Sequence, residues 1–72
     1  MVDRRPERQF AEVLFEFKRI GNVMRVTAID PETNTEVTFI APPRTSRSVL
    51  QRLGVAKLRY VLDGPRHVNI EV

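Results

Sequence analysis

The stretch VLFEFKRIGNVMRVTAIDPETNTEVTFIA, running from Val13 to Ala41, decides the fold. Apolar residues alternate along it in segments broken by Gly21-Asn22 and by Asp30-Pro31-Glu32-Thr33-Asn34. Successive side chains of a strand point to opposite faces, so alternation marks strands buried on one side. Clusters of Gly, Asn, Asp and Pro mark where the chain reverses. The reading is an antiparallel β-meander of three strands.

The first strand, Val13 to Ile20, sets Val13, Phe15 and Phe17 on one face and Leu14, Glu16, Lys18 and Ile20 on the other. Glycine at the first loop position suits a type II′ turn, so Gly21-Asn22 places Ile20 opposite Val23, Phe17 opposite Val26 and Phe15 opposite Ala28. The core face of the second strand is then Met24, Val26 and Ala28. Pro31 presets a type I turn and Asn34 tolerates the left-handed backbone that closes it. The third strand, Thr35 to Ala41, adds Val37, Phe39 and Ala41 to the same face, and Pro42-Pro43 ends the ladder. Lys18 and Arg25 fall opposite each other on the outer face. Such a like-charge pair is unfavourable unless an anion or Glu16 relieves it.

Thr45 or Ser46 can cap a helix reaching about Leu62, with Asp63-Gly64-Pro65 as its stop. Helical spacing gathers Val49, Leu50, Leu53, Ala56, Tyr60 and Val61 into a stripe expected to cover the sheet. Residues 1–9 are charged and read as a disordered arm, and 10–72 form a single domain. Phe10 is a candidate anchor for that arm. His67 to Val72 alternate again, which predicts a short fourth strand.

The 72-residue length bounds what such a chain can do. A domain near this size buries only about 60% of the surface its unfolded chain exposes and often needs outside support. There is no cysteine for a disulfide or thiolate site, and one histidine, His67, cannot build a zinc site without carboxylate partners. That leaves oligomerisation as the common support. No secretory leader and no membrane-spanning apolar run can be read, so a cytoplasmic location is expected. Twelve Lys and Arg against nine Asp and Glu give a formal net charge of +3, ordinary for a soluble domain.

Two apolar sets are left over once the sheet is covered. On the helix these are Val55, Leu58 and Leu62, a candidate self-association surface. On the outer sheet face they are Leu14, Ile20, Val23, Ile29 and Ile40, interspersed with Glu16, Lys18, Arg25, Thr27, Glu36 and Thr38. Both sets together predict a homodimer. Lys57 falls within the core stripe and is expected to snorkel to its edge.

Arg44, Ser46, Arg47 and Ser48 form a candidate anion site, because a helix start offers free amides and a positive dipole end. With Arg4, Arg5, Arg8, Arg52 and Arg59 they define the alternative reading, weak sequence-independent binding of nucleic acid or another anion. Base stacking is not expected, because Phe15, Phe17, Phe39 and Tyr60 are all assigned to the core. No catalytic residue, metal ligand or cofactor motif can be named: there is no nucleophile elbow, and His67 lacks triad partners. The expected function is that of a small non-catalytic interaction module.

Over Phe15 to Val23, Val26 to Pro31, Glu36-Val37 and Ala56-Lys57-Leu58, the chain resembles a family of short uncharacterised bacterial proteins, mainly alphaproteobacterial. The likeness spans roughly Val13 to Leu62 and implies no activity, ligand or site residue. The tail beyond Asp63 is less typical, so its strand rests on alternation alone. The expected architecture is α+β, with the meander packed on one C-terminal helix.

Overall fold

A computed structural model describes residues 9–64. Three strands, β1 (Leu14–Ile20), β2 (Val23–Asp30) and β3 (Thr35–Ala41), form one antiparallel sheet in the order β1-β2-β3. One helix, α1 (Arg47–Asp63), follows and packs against the sheet. This is the expected α+β meander. The arm up to Arg8 and the proposed strand His67 to Val72 lie outside the described residues.

The register follows from the first turn. Gly21 has φ of 59° and Asn22 keeps a negative φ, the pattern of a type II′ turn. Ile20 therefore pairs with Val23, Phe17 with Val26 and Phe15 with Ala28. Space around the missing Gly21 side chain is open, with nothing within 4 Å of a Cβ built there. Any cost of substitution at this position is thus conformational rather than steric. Gly21→Val is expected to lower stability by more than about 1 kcal/mol, the strain of a β-branched residue at positive φ. A thermal melt superimposable on the wild type would contradict that turn.

The second turn is held by its first residue. Asp30 is almost fully buried, and its carboxylate accepts from the Glu32 amide at 3.2 Å and from the Thr33 hydroxyl at 2.7 Å. Asn34, at φ 60°, takes the left-handed position that returns the chain to Thr35. β3 then pairs Phe39 with Val26 and Val37 with Ala28.

All three strands present the expected inner face to the helix. Val26 and Ala28, on the central strand, are completely buried, and Phe15, Phe17, Val37 and Phe39 flank them half-buried. Phe15 and Phe17 stack with ring centroids 6.0 Å apart. Ser46 is the N-cap: its hydroxyl accepts from the Val49 amide at 3.4 Å. At the other end Gly64, at φ 85°, donates its amide to the Tyr60 carbonyl at 2.9 Å and stops the helix one residue beyond the expected Leu62.

The helix meets the sheet on a face rotated from the expected stripe, of which Leu50 is buried and Val49 half-buried but the rest exposed. Its buried residues are Leu50, Gly54 and Leu58, spaced four apart along one stripe. Gly54 marks the closest approach: a Cβ built on it would lie 2.6 Å from Cε1 of Phe15 and 3.0 Å from Cβ of Ala28. A helix of glycine and a strand of alanine can come this near only where both side chains are minimal. That contact rotates α1 so that Leu58 enters the core.

Candidate interaction surfaces

The rotation corrects the self-association group on the helix. Leu58 has no exposed surface, and Val55 and Leu62 are half-buried, so Val55, Leu58 and Leu62 do not form an outward-facing patch. Residues expected in the core stand outside instead: Leu53 is 43% exposed, Tyr60 49% and Val61 57%. They recur at positions one helical face apart and, with Ala56 and Val37, line a groove of about 580 Å³ between α1 and β3. Tyr60 is therefore not a core aromatic. Lys57, also exposed, sets its Nζ 5.3 Å from the centre of the Phe39 ring and forms part of the groove rim.

The second surface is the sheet face away from the helix. Here the sequence reading and the structure agree on the residues. Registers of both strand pairs arrange them in rows: Leu14, Ile29 and Glu36; Glu16, Thr27 and Thr38; Lys18, Arg25 and Ile40; Ile20 and Val23. Leu14 and Ile20 are each 45% exposed and Ile40 is 65% exposed. Thr27, in the middle of the central strand, is buried and sets its hydroxyl 3.3 Å from that of Thr38. Lys18 and Arg25 do face each other, as a cross-strand pair. Among the described residues no ion pair joins either of them to Glu16 or Glu36.

At the helix start, the four residues of the candidate anion site have structural partners or stand apart. Ser46 caps the backbone, and its hydroxyl lies 3.3 Å from that of Ser48. Arg47 lays its guanidinium over Phe17, 4.2 Å from the ring centre, which packs the first helical residue onto β1. Arg44 is exposed. The capped Ser46 and the stacked Arg47 are accounted for by local structure, and nothing further marks a ligand there.

Among the described residues no group of three or more His, Asp or Glu side chains is placed to hold a metal ion. A smaller hollow of about 290 Å³ beside the second turn includes Glu12, Asp30 and Glu32, but the Asp30 carboxylate there is engaged by the turn itself. No described helix is long and apolar enough to cross a membrane. The groove is not legible from apolar spacing, which places Val37, Leu53, Ala56, Tyr60 and Val61 in the core. A mid-helix glycine facing a strand alanine is the signal that would have found it.

No curated protein and no solved structure matches the chain. The family model described as a domain of unknown function (DUF6898) matches residues 11–65, which contain the whole sheet and the whole helix. The chain belongs to that family.

Proposed function

We propose that this protein is a small non-catalytic interaction module of the bacterial cytoplasm that works by self-association. The observation that supports it is an imbalance between buried and exposed apolar groups. Among the described residues four hydrophobic ones are fully buried, whereas six large ones, Leu14, Ile20, Ile40, Leu53, Tyr60 and Val61, are between 43% and 65% exposed. Single exposed apolar side chains are ordinary on any protein. Here they gather on two faces of a two-layer domain too small to cover both, and a second copy would remove such surface from water without requiring any new chain.

Sedimentation equilibrium tests the reading. Self-association within the micromolar range is expected, and it should persist at moderate salt because much of the buried surface is apolar. A monomer up to high micromolar concentration would overturn it.

A further inference from the structure

We propose that the interface of the self-associated form is the outer face of the sheet, packed against the same face of a second copy about a two-fold axis. This rests on the self-association reading and names its surface. The pattern of rows is self-complementary. Let the axis lie in the interface and cross the strands between the Glu16-Thr27-Thr38 row and the Lys18-Arg25-Ile40 row. The rotation then lays each strand antiparallel on its own copy. Glu16 meets the partner's Lys18, and Lys18 meets the partner's Glu16. Leu14 falls on the partner's Ile20 and Ile29 on the partner's Val23, so both ends of the face bury aliphatic against aliphatic. Such isologous matching is what a two-fold interface requires.

The charges on this face favour a second copy over other occupants. Lys18 and Arg25 are adjacent like charges with no acidic ion-pair partner on their own face, an arrangement that costs stability in the monomer. An acidic group brought against them relieves it, and the second copy supplies one at the right row. A nucleic acid would also be attracted by Lys18 and Arg25, but it would be repelled by Glu16 and Glu36 on the same face. Nor does this face carry an aromatic ring on which a base could stack.

Its size sets the expected strength. Strands about 4.8 Å apart and seven residues long, at a rise of about 3.3 Å, give a face of roughly 14 by 23 Å. With side-chain relief this comes near the roughly 500 Å² per partner at which specific interfaces begin. Association is accordingly weak and reversible, and sensitive to each charged pair.

Charge reversal and mixing provide the test, using the full chain and sedimentation velocity. Lys18→Glu and Glu16→Lys, both exposed positions, are each expected to weaken self-association by roughly tenfold or more, because like charges then face each other twice across the axis. An equimolar mixture of the two variants should recover association, since each now carries the sign the other lacks. Circular dichroism confirms that both variants fold. If the wild type associates while both variants do so equally well and the mixture gains nothing, the interface is elsewhere, the groove beside α1 being the next surface, and only this proposal fails. A monomeric wild type removes this proposal and the self-association reading together. A monomeric wild type that binds a labelled oligonucleotide at low salt, with binding lost in Lys18→Glu, would assign the basic row to a polyanion instead.

Discussion

Leu58→Ala is expected to remove about 2–5 kcal/mol of folding stability, the range for truncating a fully buried leucine that leaves a cavity behind. Leu58 has no exposed surface and belongs to the stripe that α1 lays on the sheet. Domains hold roughly 0.05–0.15 kcal/mol per residue, so for a chain of this length the total is about 4–11 kcal/mol and the loss is a large fraction of it. Urea unfolding followed by circular dichroism should show a midpoint shifted far toward lower denaturant. The same substitution separates two placements of the helix. If Leu58 faced solvent and contacted a second copy, its loss would weaken association and leave the monomer's midpoint nearly unchanged. A shift under about 0.5 kcal/mol, the size usual for surface substitutions, would therefore contradict the helix face described here.

The contrast between sheet and helix shows where the sequence was decisive. In a strand the side-chain period is two, so one assigned residue fixes the face of every other. A one-residue slip would send Phe15, Phe17, Val26 and Phe39 into water. The turns then fixed the register independently, Gly21 through its positive φ and Asn34 through the left-handed position. Strand limits and cross-strand partners were legible for that reason. The helix offered no such constraint. Apolar residues lie around much of α1, and counting them favours the stripe of Val49, Leu50, Leu53, Ala56, Tyr60 and Val61, of which Leu50 is buried but Leu53, Ala56, Tyr60 and Val61 are exposed. What decides the face is Gly54, a residue that contributes nothing to an apolar count. Its meaning emerges only against Ala28, 26 residues away in the sequence but in contact in the fold. The same error hid the groove and misplaced Tyr60, whereas the outer sheet face was readable in full because the strand period alone defines it.

Gly54→Ala carries two opposing effects, and the second is expected to win. In an exposed helix interior alanine is favoured over glycine by about 1 kcal/mol. At Gly54 the added methyl would stand 2.6 Å from Cε1 of Phe15 and 3.0 Å from Cβ of Ala28. The Phe15 ring can give way only by disturbing its stacking on Phe17, and the Ala28 Cβ is fixed to the central strand between two paired neighbours. Overpacking of this kind costs about 1–3 kcal/mol, so a net loss of up to about 2 kcal/mol is expected. Gly54→Val should lose more, because it adds bulk at the same contact and is a poorer helix former. Chemical denaturation of a double-mutant cycle locates the cause. Trimming the ring by Phe15→Leu should make Gly54→Ala less harmful, with a coupling of at least about 0.5 kcal/mol between the two positions. Stabilisation by Gly54→Ala in the wild-type background would mean that helix propensity dominates, and that α1 stands farther from the sheet than the contact among Gly54, Phe15 and Ala28 requires.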